Sequence, residues 1–499
     1  MTALSDTPAW VRDAVFYQIF PDRFASSPRV TKPGPLEPWD ARPTPHGFKG
    51  GDLLGIVERL DYIGSLGVTA LYMTPVFSSA SNHRYHTYDY FEVDPLLGGN
   101  DALRELLDAC HARGMRVVLD GVFNHSGRGF WPFHHVVENG GSSPYVDWFY
   151  VDQAALAAGR HLQPYPSPGQ RVDPRLLGYR AWWDLPALPK LNTNNPQMRE
   201  HLMAAGEHWL HFGIDGWRLD VPEEIDPDFW REFRKRVRAV NPEAYIVGEI
   251  WREKPDWVAG DIFDATMNYP LTEALLSFTA ARTLDRQIVA TQHEYRDSVR
   301  PIDGVEFASR LGHLMTMYRP EAVAVELNLL GSHDSPRYVT VAGGDRDAYR
   351  LALLAIMTLP GAPCIYYGDE VGMEGRHDPD NRGAFPWDEA KWDHGLVELV
   401  RALTSLRAAS PSLRDAGFAL AAASKDAVGY VRRLESDGAL VIINAGRAEA
   451  HLEVSGRFDD LTPVELPAWS VPRVALSGES LGVDLAPRSG AVLKFRSVA

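Results

Sequence analysis

Cysteine is nearly absent: Cys110 and Cys364 are the only two in 499 residues. They lie far apart, each inside an apolar-patterned segment, which argues against a disulfide-stapled scaffold. Two buried free thiols are expected, with a single bridge as the open alternative. No apolar run is long enough to span a bilayer. The opening stretch MTALSDTPAW lacks the basic and apolar segments of a secretory leader, which makes the cytoplasm the expected location. Positive charge is in deficit, with 50 Lys and Arg against 66 Asp and Glu and a formal net charge of −16. That argues against nucleic acid or an anionic membrane as the main partner and favours a neutral ligand. What remains is an ordinary globular composition, 45% hydrophobic and 23% charged. A monomer or weak homo-oligomer is expected.

One punctuation recurs along the chain: an amphipathic stretch, a glycine, then a short β-branched and aromatic run. LLGIVERLDYIGSLG leads into VTALYMTPVF, DALRELLDACHARG into MRVVLDGVFNH, and MREHLMAAGEHWLHFG into IDGWRLDV. Gly67, Gly114 and Gly213 fall where a helix would end in a left-handed residue. Helix and strand alternating at this spacing predict βα units and a parallel sheet. Eight strand candidates follow: AVFYQIF, TALYMTP, RVVLDGVF, DGWRLDV, AYIVGEI, FDATMNY, ELNLLGSHD and APCIYYGDE. Eight strands close a (β/α)8 TIM barrel, whose chemistry sits at the C-terminal strand ends.

Two stretches break the alternation. Residues 126–194 are rich in Gly, Pro and aromatics without a sustained period, and so long a connection is usually functional. They are read as an excursion domain between the third strand and third helix, forming one wall of a cleft. From 418 to 499 short alternating runs (AVGYVRRL, ALVIINA, AVLKFR) predict a C-terminal antiparallel β-sandwich. The barrel then takes 1–125 and 195–417.

The stretch GWRLDVPEEI (216–225) places Arg218 and Asp220 on one face of a strand, opposite Trp217, Leu219 and Val221. Charges at such a place are paired or functional. In a barrel, Asp120 and His125, Arg218 and Asp220, Glu249, and His333 and Asp334 converge on one mouth. Metal binding is one chemistry for such a set. No His/His or HExxH spacing supports it, and Arg218 beside Asp220 would oppose a cation. Retaining glycoside hydrolysis is the other. It needs a carboxylate nucleophile and a carboxylic acid roughly 5–5.5 Å apart, and a guanidinium beside the nucleophile keeps it ionised.

In order along the chain stand DGVFNH (120–125), GWRLDVPEE (216–224), GEIW (248–251) and SHDSPR (332–337). These four motifs, each at the end of a predicted strand, resemble those of the α-amylase family of glycoside hydrolases. LPKLN (188–192) and GDEVGMEGRHDPDNR (368–382) resemble its neopullulanase, cyclomaltodextrinase and maltogenic amylase branch. The resemblance implies a retaining hydrolase of α-1,4-glucosidic bonds in maltooligosaccharides and related α-glucans such as cyclodextrin, pullulan and starch. It implies Asp220 as nucleophile, Glu249 as general acid/base and Asp334 as the third carboxylate, which binds and distorts the sugar. His125, His333 and Arg218 would contact the sugar, Tyr85 would stack on it, and Asp378 and Arg382 would hold hydroxyls. No cofactor is required. Relatives commonly bind calcium near Asn124, but no further ligands can be located, so a metal site stays unassigned.

Three departures stand out. His86 replaces the aspartate that often follows the stacking tyrosine, and Leu188 replaces a more usual Met. The first strand begins near Ala14, leaving no room for the N-terminal β module many relatives carry, so a more open mouth is expected. Asp120 is expected to support Arg218 or His125. Trp182 and Trp183 are read as sugar-stacking or as cleft wall, and REFRKRVR (231–238) as the solvated face of a helix. An isomerase or transferase of the trehalose or isomaltulose synthase type shares all four motifs, and a non-catalytic sugar-binding relative is a further alternative.

Overall fold

The computed structural model describes residues 7–167 and 173–496. Residues 1–6, part of the stretch read for a leader, and five positions within 126–194 lie outside the described residues. Eight parallel strands form one sheet: β1 (Phe16–Ile19), β2 (Ala70–Met73), β3 (Arg116–Gly121), β4 (Gly216–Leu219), β5 (Tyr245–Gly248), β6 (Ala265–Thr266), β7 (Leu327–Leu329) and β8 (Ala362–Tyr366). Their order, β6-β5-β4-β3-β2-β1-β8-β7, follows the chain around a ring. A parallel bridge between Met267 and Leu327 joins the two edges and closes the barrel. Each predicted strand is present.

The strands are apolar on both faces because both are covered. Phe16, Tyr72, Val118, Tyr245 and Val247 fill the barrel interior, while Tyr17, Leu71, Val117 and Trp217 pack outward against the helical layer. Gly213 ends the helix Pro196–Phe212 at φ 112°, a conformation that L side chains resist. The chain thereby reverses into β4 within three residues.

The basic run is not a simple solvated face. It belongs to the helix Pro227–Val240. Arg234 and Arg238 reach the buried Asp264 at 2.9 and 2.7 Å, and Asp264 accepts the Ile246 N–H of β5. Arg231 and Arg236 make the surface pairs. The correction is physical: a helix on a barrel must satisfy the carboxylate between strands, and long arginines reach it while their stems cover apolar surface.

Beyond the barrel, strands β9 (Gly417–Ala423), β10 (Ala427–Leu434), β11 (Asp437–Asn444), β12 (Ala450–Ser455), β13 (Asp459–Pro463), β14 (Arg473–Ser477), β15 (Ser480–Leu485) and β16 (Ser489–Arg496) form two antiparallel sheets. Leu440, Ile442, Val454, Val483 and Phe495 belong to their shared core. Cys110 and Cys364 are buried and free. Among the described residues no helix is long and apolar enough to cross a membrane.

Candidate active site

Arg218 of β4 stands beside Asp120 of β3 in the strand register, with its side chain wholly buried. Its Nη1 lies 3.0 Å from Asp120 Oδ2 and 3.0 Å from Asp220 Oδ1, and its Nη2 lies 3.0 Å from Glu249 Oε1. One cation thus gathers three carboxylates from the ends of three consecutive strands. Asp120 is saturated, since the Tyr72 and Tyr85 hydroxyls also donate to its Oδ2 at 2.8 and 2.9 Å. Asp220 is not: among the described residues its Oδ2 has no hydrogen-bond partner. Glu249 Oε2 accepts the Val221 N–H at 3.0 Å. Val221 holds φ 34°, a strained setting for a β-branched residue, and this aims its N–H at the carboxylate.

Burial sets the electrostatics. It pushes the Asp120 carboxyl up to about 6 against the opposing pull of Arg218. Burial, then the nearby Glu249 charge, raises Asp220 well above the usual carboxylate range, and burial raises Glu249 as well. Three carboxylates against one guanidinium leave an excess of negative charge, so the cluster holds a proton more tightly than any isolated carboxyl would and titrates as a unit.

A second ring surrounds this centre. The Tyr85 ring stacks on His333 at 5.3 Å between centroids and 4° between planes, and its hydroxyl lies 2.5 Å from His333 Nε2. Asp334, still 31% exposed, meets His333 Nε2 at 3.0 Å and Arg382 Nη2 at 3.2 Å. Arg382 also donates to the His333 carbonyl at 2.8 Å and pairs with Asp378 at 3.0 Å. On the excursion side, His125 stacks on Trp182 at 4.8 Å and 9°, and Trp182 stacks in turn on the exposed Trp183 at 4.7 Å. Burial lowers His125 to about 3 and His333 well below its ordinary value, so both rings are neutral. Eight of the nine expected residues are joined in this one network, and His125 stands on the excursion side against Trp182.

Residues 18–405 match the alpha amylase catalytic domain. The chain belongs to the α-amylase family. A cyclomaltodextrinase from Bacillus sp. is 43% identical over 445 residues, which are 88% of this chain and 74% of that one. A crystal structure from Thermus thermophilus superposes with a TM-score of 0.87 at 45% identity, covering 98% of this chain and 100% of that chain. The debranching enzyme from Nostoc punctiforme gives 0.86 at 44% identity, covering 98% and 99%.

Within this α-amylase-family site, the surroundings of Asn124 do not fit a calcium ion. Asn124 Oδ1 accepts the Lys190 ammonium at 2.7 Å, and the same Nζ reaches the Glu224 carbonyl at 3.0 Å and Glu224 Oε2 at 2.8 Å. The oxygens a cation would need already hold one. Among the described residues no group of three or more His, Cys, Asp or Glu could hold a metal ion.

Three features escaped the sequence reading. Lys190 is one; its place in LPKLN was visible, its partners were not. Gln18, a lone amide within an apolar strand, lies 2.9 Å from His333 Nδ1. The third is the loop after β1. Asn82 donates to the Pro45 and Gly47 carbonyls, Arg42 pairs with Asp380 at 2.8 Å, and Trp39 donates to the Phe385 carbonyl. This loop therefore lies along the mouth between Tyr85 and Arg382, a wall that the long Pro-rich stretch 28–50 could have signalled.

Proposed function

We propose that this chain hydrolyses α-1,4-glucosidic bonds in maltooligosaccharides and related α-glucans with retention of configuration. The observation that carries the reading is the single buried guanidinium touching both Asp220 and Glu249, with one Asp220 oxygen left free. Asp220 Oδ2 attacks the anomeric carbon while the glycosidic C–O bond breaks and Glu249 gives its proton to the departing oxygen. Positive charge developing on the sugar favours an ionised Asp220, which leaves the proton of the cluster on Glu249. Glu249 then takes a proton from water as that water displaces Asp220, and a sugar hydroxyl in place of water gives transglycosylation.

Asp334, braced by Arg382 and His333, holds sugar hydroxyls, and His125 with Trp182 forms the excursion-side face. The described residues of 126–194 act as one wall, the loop after β1 as the other. The reading includes a cytoplasmic, monomeric or weakly oligomeric enzyme. The experiment is parallel digestion of maltotriose, maltotetraose, pullulan, starch and β-cyclodextrin, with proton NMR of the first product. Maltotetraose should be cleaved and the α-anomer should appear first. Initial β-anomer, or no hydrolysis of maltotetraose, overturns the reading.

A further inference from the structure

Gln18 has no place in the chemistry just described, yet it sits in the barrel in contact with the site. It is fully buried in β1, in register with Tyr72 of β2 and Tyr366 of β8. Strand alternation turns it inward with Phe16, one layer above that apolar residue and level with the polar layer of the mouth. Its Nε2 is 2.9 Å from His333 Nδ1.

The hydrogen-bond directions around His333 are fixed from the opposite side. His333 Nε2 faces the Tyr85 hydroxyl at 2.5 Å and Asp334 Oδ2 at 3.0 Å. Asp334 can only accept when ionised. The Tyr85 hydroxyl has one proton and lies 2.9 Å from Asp120 Oδ2, a carboxylate that also accepts from Tyr72 and Arg218. With that proton given to Asp120, the tyrosine oxygen must accept from His333. A neutral imidazole carries one N–H and one lone pair. Nε2 therefore holds the hydrogen, and Nδ1 must accept. The neighbour at Nδ1 is an amide nitrogen, which donates.

We propose that Gln18 is a positioning residue that holds His333 in the Nε2–H form, so that its one hydrogen points to the Tyr85 oxygen beside the Asp334 carboxylate and not towards β1. The inference rests on the retaining reading for its consequence in turnover, but the hydrogen position itself does not. The opposite form would place a lone pair on Nε2 against the Asp334 carboxylate and take the Tyr85 proton from Asp120. Each of those is a buried unsatisfied or repelling contact. The Gln18 amide turns to suit either form and leaves one of its two atoms unpaired both ways, Oε1 among the described residues here, so the Nε2 side decides.

The groups facing His333 are Tyr85, His83, Asp334 and Arg382, with Asp120 and Arg218 one contact further. Burial first, then the Arg382 and Arg218 charges, disfavour an imidazolium. A carboxylate at position 18 would oppose them, because it accepts from Nδ1–H and leaves both ring nitrogens protonated.

Neutron diffraction from deuterium-exchanged wild-type crystals tests the hydrogen position without reference to activity. Deuterium at His333 Nε2 and none at Nδ1 is expected; deuterium at Nδ1 facing Gln18 Oε1 overturns the inference. Kinetics test the consequence. Gln18→Leu should lower kcat/KM on maltotetraose by about ten- to hundredfold through loss of a set geometry. Gln18→Glu should shift the pH profile while retaining the fold. Profiles and kcat/KM within twofold of wild type in both variants overturn the positioning role. Failure of wild type to cleave maltotetraose would sink the retaining reading while leaving the neutron result to stand or fall alone.

Discussion

Arg218 Nη1 and Asp220 Oδ1 stand 3.0 Å apart, and neither side chain is more than 8% exposed. The pair is not a surface ion pair at an open cleft. It is the accessible end of a buried cluster with more negative than positive charge. A carboxyl whose proton affinity is higher folded than unfolded subtracts stability as pH rises from the ordinary carboxylate range towards its folded value. Asp220 is raised in this way. Asp220→Asn should therefore abolish turnover by orders of magnitude while leaving Tm at pH 7.5 equal to or above wild type. The gain should shrink towards pH 4, where the folded carboxyl is protonated and the unfolded one is only about half ionised. Calorimetry at both pH values checks this, and a lower Tm for the variant at pH 7.5 would contradict the charge excess.

Arg382 and Asp378 are neighbours with different burdens. Arg382 is 11% exposed at its side chain and holds both Asp334 and the His333 carbonyl, whereas Asp378 is 54% exposed and pairs with Arg382. Losing charged hydrogen bonds of that kind costs about ten- to hundredfold in kcat/KM for Arg382→Ala. Asp378→Ala, which breaks a half-exposed pair, should cost less than about fivefold. Product profiles on maltotetraose should move towards longer sugars in the arginine variant first. Equal effects in the two variants would mean that Arg382 does not brace Asp334.

The stack of His125 on Trp182 predicts a binding defect. Trp182→Ala removes one aromatic partner, and such a contact is worth about three- to tenfold. KM for maltotriose should rise by that factor with kcat nearly unchanged. A fall in kcat with KM unchanged would place the ring at the reacting centre instead.

Lys190 predicts indifference to metals. With its ammonium on Asn124 and Glu224, chelator treatment and millimolar calcium should each leave Tm and activity unchanged. Stabilisation by calcium, read as a Tm that climbs with its concentration, would show that the ammonium yields its place.

Most of the architecture was legible because barrel strands are short, apolar and punctuated by glycines such as Gly213. The charged residues were legible because a charge at a strand end needs a reason, as Arg218 and Asp220 show. Gln18 was hidden by the same logic in reverse, since one amide inside AVFYQIF does not disturb an apolar pattern. Lys190 and Arg234 were hidden because long side chains choose partners in three dimensions. Spacing alone does not say that Lys190 reaches Asn124, or that Arg234 turns under its helix to Asp264. The wall formed by the loop after β1 has no period to read; its contacts with Asn82, Asp380 and Phe385 reveal it.

The central claim is a covalent bond between sugar and Asp220, and trapping tests it most directly. Glu249→Gln lacks the acid and the base but should still accept an α-maltooligosyl fluoride, whose leaving group needs little protonation, and then stall because water is not activated. Peptide mass spectrometry of the quenched variant should find the glycosyl mass on Asp220, within the segment that carries Arg218. An adduct on another residue, or fluoride release at wild-type rate with no adduct, would contradict the account.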